Sequence, residues 1–268
     1  MNSFRKIFAC VAVAILGFAC AFSSHAAENA SPISAGEMAS RLSAIRQDGA
    51  SYVRLRMEIK GATKETFQIQ IKQRRTKSSS EVVYQVLWPK ERKGESVLLR
   101  KSGNRSASGF IIMPPSTMRA IDDLKESLFG SDLSYEDVIE DFFAWERQAI
   151  VGTESVDGVN CQILESKPGK GEHTTYGSVR SWIDARRLVP LRVEKYSGSG
   201  QLVRRIDTTR VVSDAGHHIP ANLTVSGVRR GSSTELDGSR IRHEVTYTDR
   251  EFSIEGTKEL ALPRGSQE

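Results

Sequence analysis

The chain has 268 residues, with 38 basic and 33 acidic side chains and 38% hydrophobic residues. Two basic residues, Arg5 and Lys6, lie in an N-terminal targeting segment, and without them 36 basic residues face 33 acidic ones, a net charge near +3. This even balance argues against nucleic acid as a partner, and the length suits one large, mainly β domain with a substantial core.

Residues 1–26 have the pattern of a secretory signal peptide. A basic start precedes an apolar run over residues 7–22 and a small-residue cleavage site that ends at Ala26. The alternative is a lipid anchor at Cys20, which we disfavour because Gly17 and Phe18 replace the residues usual before an acylated cysteine. The sequence therefore predicts an exported protein whose mature chain is a single domain, residues 27–268.

Cysteine use agrees with a fold that relies on its core. Cys10 and Cys20 leave with the signal segment, so Cys161 is the sole thiol of the mature chain. No intramolecular disulfide is then possible, and stability must come from buried apolar surface. We expect Cys161 to be a buried strand residue.

The mature chain begins with a helical pattern and then changes to the alternation of strands. Apolar residues at helical spacing predict an amphipathic helix between residues 31 and 48, with Gly49 as its stop. Residues 52–60 then alternate apolar and charged side chains, and residues 67–71 repeat the alternation after a turn. These two segments predict a hairpin with one apolar and one solvated face.

About ten antiparallel strands are predicted in two runs. The first run continues through residues 82–87, 95–100 and 109–113. Residues 116–129 fit either a helix or a short strand followed by a loop. The second run comprises residues 149–156, 159–165, 177–184, 189–196, 202–212, 221–229 and 241–249.

Between the two runs lies a polar turn followed by a marked helix start, residues 128–142. Gly130, Ser131 and Asp132 form the turn. Ser134 stands three residues before Asp137, the spacing of a capping box at a helix N-terminus. We therefore interpret these five residues as a structural motif. Capping and surface solvation explain Asp132, Glu136, Asp137 and Asp141 better than a paired-acid or metal site.

An ordered series of short motifs in the mature chain resembles a known family. The specific motif is GSDLSYEDV at residues 130–138. The others are WPKERKGESVLL (88–99), Met113-Pro114, SWID (181–184), LVPLRVEKY (188–196) and HHIPANLTV (217–225). The series is similar to the LolA-like outer-membrane lipoprotein-sorting proteins, in the branch found beside resistance-nodulation-division (RND) type transporters.

The resemblance implies a half-open, strongly curved antiparallel β-barrel whose concave apolar side is covered by helices and encloses a cavity. Apolar strand positions and one face of the central helix are then the candidates for its lining. They are Val53, Leu55, Met57, Ile59, Phe67, Ile69, Ile71, Tyr135, Val138 and Phe142.

The function implied is that of a periplasmic carrier, favoured as a monomer, for a lipid or the acyl chains of a lipoprotein, working with an inner-membrane RND-type transporter. The alternative is an envelope sensor or transporter-docking module of the same fold without lipid cargo. A hydrolase is the third possibility, but no nucleophile elbow, P-loop or metal-ligand spacing is present. We therefore predict no enzymatic activity, no cofactor and no metal.

Overall fold

The computed structural model describes residues 33–46, 49–76, 78–114, 117–214, 216–227, 231–243 and 245–257. The predicted signal segment and Cys20 lie outside these ranges. The described residues from Ile33 to Thr257 form one compact unit.

Thirteen strands in the described part of the chain form one antiparallel sheet. They are β1 (Ala50–Lys60), β2 (Lys64–Arg75), β3 (Ser79–Trp88), β4 (Ser96–Ser102), β5 (Ser108–Met113), β6 (Thr117–Ala120), β7 (Arg147–Val156), β8 (Val159–Lys167), β9 (Tyr176–Asp184), β10 (Val189–Ser197), β11 (Leu202–Asp214), β12 (His217–Ser226) and β13 (Ser233–His243). The helices are α1 (Ala35–Arg46), α2 (Tyr135–Ile139) and α3 (Ile254–Thr257), and 3₁₀ turns occur at Lys90–Arg92, Leu128–Gly130, Phe142–Ala144 and Asp249–Phe252.

The order of the strands explains how the two predicted runs become one sheet. β1 to β6 form one meander and β7 to β13 form another, and the first strand of the former pairs with the last strand of the latter. The sheet is strongly curved but not closed, because β6 and β7 remain at its two ends. The predicted mainly β, half-open fold with helices on its concave side is confirmed.

Local turn chemistry positions the strands as expected. The hairpin between β1 and β2 pairs Leu55 with Ile69 and Met57 with Phe67, so their apolar side chains share one face. Asp157 and Gly158, which join β7 to β8, both have positive φ, as a two-residue hairpin turn requires.

Two predictions about individual elements need correction, and one alternative that the sequence left open is decided. The strand predicted over residues 241–249 is too long, because β13 ends at His243. Beyond it, Tyr247 packs edge-on against Phe252. For residues 117–129, the alternative of a short strand followed by a loop is the right one: β6 covers Thr117–Ala120, and the loop leads to the 3₁₀ turn Leu128–Gly130. Finally, α2 ends at Ile139, so the expected helical face extending to Phe142 does not exist.

The segment between the runs, residues 128–145, is called the connecting segment below. Its first part contributes Leu128, Phe129, Tyr135 and neighbouring residues to a core cluster built on β1 to β4. Its last part contributes Phe142, Phe143 and Trp145 to a second cluster, which contains α1 and strands β8 to β10. The connecting segment therefore spans the concave side and joins two cores, each stabilised by ~1.5–3 kcal/mol for every fully buried large side chain.

Candidate ligand-binding cavity

A cavity of about 440 Å³ lies between the concave face of the sheet and the elements that cover it. The covering side is formed by α1 through Leu42 and Ile45, and by the connecting segment through Leu133, Val138 and Phe142. The sheet side draws mainly apolar residues from both runs, including Leu55, Met57, Ile71, Tyr84, Val193, Ile206, Leu223, Val225 and Leu236. A mainly apolar hollow of this size is within the range of small-ligand pockets.

Five of the ten predicted lining residues border this cavity, namely Leu55, Met57, Ile71, Val138 and Phe142. Four others, Ile59, Phe67, Ile69 and Tyr135, are buried in the adjacent core cluster, and Val53 is half-buried without lining the cavity.

Side chains of the connecting segment pack against one end of the apolar face of the β1–β2 hairpin, so that end belongs to the core and does not border the cavity. The ring of Phe129 lies 6.5 Å from that of Phe67, and Leu133 and Tyr135 belong to the same cluster. The apolar face of the β1–β2 hairpin is therefore continuous, but only its middle part borders the hollow.

Sequence reasoning missed the lining residues of the second run. Ile206, Leu223 and Leu236 come from β11, β12 and β13. Each lies in a segment that carries apolar residues among polar ones. These apolar residues could be recognised in the sequence, but their position in the cavity could not. Only the pairing of β1 with β13 places these strands beside the first hairpin.

Asp137 links the helix start to the second run of strands. Its Oδ2 accepts hydrogen bonds from the backbone and hydroxyl of Ser134, at 2.7 and 2.8 Å, and the backbone N–H of Asp137 donates to the Ser134 hydroxyl. The same carboxylate accepts from Lys195 Nζ at 2.8 Å and from the Tyr176 hydroxyl at 2.7 Å, and forms an ion pair with Arg204 Nε at 2.8 Å. Asp137 thus completes the capping box with Ser134 and is also the centre of a buried charge network.

The charges of this network are almost completely removed from solvent. The side chain of Asp137 is 0% exposed and that of Lys195 is 1% exposed. Burial alone would raise the pKa of Asp137, but the positive charges of Lys195 and Arg204 outweigh it and hold the pKa below its ordinary value. Burial, reinforced by the Asp137 charge, raises the pKa of the Tyr176 hydroxyl, so it stays a hydrogen-bond donor.

Three further acidic residues of the connecting segment are buried and attached to different strands. Asp132 accepts hydrogen bonds from the hydroxyls of Ser232 and Thr234, the latter on β13. Glu136 accepts from Thr174 and Thr175, just before β9. Glu140 pairs with Lys101 on β4 at 2.5 Å and accepts from the indole of Trp145.

The expectation of surface solvation is therefore wrong for three of these acids: as whole residues, backbone included, Asp132, Glu136 and Asp137 are only 3%, 1% and 8% exposed. Together with Glu140, they fasten the connecting segment to both runs of the sheet.

The polar turn before the helix is closed by backbone geometry. Phe129 and Gly130 have φ values of 54° and 86°, a region that glycine adopts without strain. Leu128 N–H donates to the Leu133 carbonyl at 2.8 Å, and the Ser131 hydroxyl accepts from Leu133 N–H. The turn thereby places Ser134 at the start of α2.

Other site classes receive no support from the described residues. No group of three or more His, Cys, Asp or Glu side chains there has the arrangement needed to hold a metal ion. None of the helices in the described ranges combines the length and apolar character needed to span a bilayer. Cys161 is buried, and burial raises the pKa of its thiol.

Fold and cavity together define a class: an open, curved antiparallel sheet that encloses an apolar hollow beneath helices. A family model described as an uncharacterized protein matches residues 78–256, more than half of the chain. A DUF1329 family protein from Desulfovibrio piger has a similar structure, with 25% identity, a TM-score of 0.75 and coverage of 82% of this chain and 96% of that one.

Two further solved structures share the fold. One, from Vibrio parahaemolyticus, is assigned to the outer membrane lipoprotein-sorting proteins and has 20% identity, a TM-score of 0.74 and coverage of 84% and 98% of the two chains. The other, a LolA superfamily protein from Nitrosomonas europaea, has 18% identity, a TM-score of 0.67 and coverage of 82% and 98%. No curated protein sequence matches. The chain belongs to the family that this model describes, and it has the LolA-like fold that the motifs predicted.

Proposed function

We propose that this protein is a periplasmic carrier that holds an acyl chain, of a lipid or of a lipoprotein, in the cavity between the sheet and its covering helices. The observation that carries the proposal is the mainly apolar hollow of about 440 Å³. The names of the two structural neighbours from Vibrio and Nitrosomonas agree with such a role.

The energetics of acyl-chain burial suit a carrier that has to release its cargo. Each buried methylene contributes ~0.8 kcal/mol, so ten to fourteen methylenes contribute roughly 8–11 kcal/mol. Association costs of about 4 kcal/mol or more oppose this gain. The net binding free energy is therefore modest, and binding is reversible.

The proposal extends to compartment and partners. The signal segment directs the chain to the periplasm as one mature domain, residues 27–268, which acts as a monomer. An RND-type transporter in the inner membrane is the proposed donor or acceptor of the cargo. In this proposal the protein does not modify the cargo chemically and only transfers it between the inner and the outer membrane.

Blocking the cavity tests the proposal. Leu236 lines the hollow from β13, and Leu236→Trp places an indole where the acyl chain would lie. Exclusion of about four methylenes costs roughly 3 kcal/mol, or ~100-fold in affinity. Binding of a fluorescent fatty acid to the purified mature chain measures this loss.

Leu202→Trp is the matched control, because Leu202 is on β11, is 44% exposed and does not line the cavity. It should leave fatty-acid binding unchanged. Equal binding by both variants would reject the cavity as the acyl site. A transporter pull-down that also survived Leu236→Trp would then favour the docking-module alternative.

A further inference from the structure

A second, polar hollow of about 180 Å³ lies on the other side of the connecting segment. Its ionisable lining groups are Arg75 from β2, Lys101 from β4, Glu140 and Asp141 from the connecting segment, and Glu172 from the loop before β9. We call it the polar cleft. Among the described lining residues, three carboxylates and two cations leave one formal negative charge in excess.

Two of the three carboxylates are engaged by protein donors. Lys101 Nζ donates to both Glu140 oxygens, at 2.5 and 2.6 Å, and the Ser43 hydroxyl donates to Asp141 Oδ2 at 2.7 Å.

Glu172 differs from these two. Its Oε2 is buried and accepts no hydrogen bond from any described residue, and its ion pair with Lys101 Nζ is long, at 3.8 Å. Burial raises the pKa of Glu172, with Lys101 opposing the rise and Glu140 adding to it. A buried oxygen without a donor is costly, so a ligand that supplies one would bind here favourably.

The polar cleft adjoins the apolar cavity. Arg75 lines both hollows, and its Nη2 donates to the Val138 carbonyl at 3.3 Å. Ile139 and Glu140 border the cleft, whereas Val138 and Phe142 border the cavity. One amphiphile could therefore place an acyl chain in the cavity and its headgroup in the cleft.

We infer that the polar cleft is a headgroup subsite for an amphiphile with a primary ammonium and no net charge, the ammonium donating to Glu172. This inference rests on the proposed function. Arg75 lies between the two hollows, where the phosphate of a zwitterionic headgroup would follow the acyl chain. The excess of carboxylates over cations among the described lining residues disfavours a headgroup that is itself anionic.

Lipids with identical acyl chains separate the headgroup inference from acyl binding. The mature chain, stripped of lipid, is incubated with equal amounts of dioleoyl phosphatidylethanolamine, phosphatidylcholine and phosphatidylglycerol, and the bound species are counted by native mass spectrometry. Phosphatidylcholine is zwitterionic but has no N–H to donate, and phosphatidylglycerol is anionic. We expect phosphatidylethanolamine to be preferred over both.

Glu172→Gln should lower the ratio of bound phosphatidylethanolamine to phosphatidylglycerol about tenfold, because a charge-assisted hydrogen bond becomes a neutral one. Retained phosphatidylcholine binding shows that the variant is folded. Glu91→Gln, an exposed position outside the cleft, should keep the wild-type ratio.

An unchanged ratio in Glu172→Gln, or a wild-type preference for phosphatidylglycerol, overturns the headgroup inference and leaves the carrier function intact. Failure of the wild-type chain to bind any of the three lipids overturns both.

Discussion

Replacement of Asp137 by alanine tests whether the connecting segment is held by a buried charge network or only by a helix cap. Loss of the carboxylate leaves Lys195, which is 1% exposed, without its anionic partner and removes the acceptor of the Tyr176 hydroxyl. Breaking one side of a buried ion pair costs about 3–5 kcal/mol, whereas a lost cap costs about 0.5–2 kcal/mol. Loss of the cap alone would therefore underestimate the effect of Asp137→Ala on the free energy of unfolding.

Urea unfolding of the purified mature chain measures the difference. Ser134→Ala is the matched control, because it removes the capping hydroxyl and leaves the pairs with Lys195 and Arg204 in place. We expect a loss near 1 kcal/mol for this control and at least about 3 kcal/mol for Asp137→Ala. Equal losses would refute the network as the main contribution.

A double variant tests the same reasoning from the other side. Lys195→Met removes the buried cation, so Asp137→Ala combined with it should be less destabilised than the sum of the two single variants. Additivity would show that Asp137 and Lys195 do not interact energetically.

The network also predicts how stability depends on pH. The folded-state pKa of Asp137 lies below the ordinary value of 3.8, so folding favours its ionised form. Its contribution is then complete above the unfolded-state pKa and is lost as the pH falls through the folded-state pKa. Below about pH 4, the stability difference between wild type and Asp137→Ala should shrink, and a constant difference would contradict this.

Three further predictions concern packing and reactivity. Tyr176→Phe should lose about 1 kcal/mol of unfolding free energy, because the hydroxyl donates to Asp137 at 2.7 Å; no loss in urea unfolding would argue against that bond. Gly109→Ala should destabilise by about 1–3 kcal/mol, because a Cβ there would lie 2.2 Å from the Leu98 carbonyl oxygen, and a wild-type melting temperature would contradict this. Cys161 should resist iodoacetamide in the folded protein and react in urea, since it is buried and burial raises its thiol pKa, and equal rates in both conditions would show that it is accessible.

Much of the fold was predictable because alternation and turn residues are local signals. The helix α1, the β1–β2 hairpin and the Asp157-Gly158 turn all follow from residues close together in the chain. The pairing of β1 with β13 was not predictable, because no local feature of the sequence specifies which strands pair across some 180 residues. The length of α2 was also misjudged, since the apolar residues beyond Ile139 pack as a 3₁₀ turn into a different cluster.

The acidic residues of the connecting segment show a different limit. Asp and Glu beside a polar turn are typical of an exposed surface, and sequence spacing revealed only the local partner, Ser134. Lys195 and Arg204 lie 58 and 67 residues further along. Their approach depends on the curvature of the whole sheet, so burial of Asp137 could not be predicted from its neighbours.

The candidate cavity was predictable in kind but not in extent. The apolar face of the first hairpin indicated a wall, and Leu55, Met57 and Ile71 line the hollow. Which end of that face is filled depends on Phe129 folding back onto Phe67. The opposite wall depends on how the second run is paired.

Native mass spectrometry of the protein isolated without detergent from the envelope of its host tests the central claim most directly. The account predicts a mature chain that carries a lipid or an acylated peptide, released on mild activation, and a Leu236→Trp variant isolated without it. A bare wild-type chain, or equal adducts on Leu236→Trp and wild type, would contradict the assignment of the cavity as an acyl-chain site.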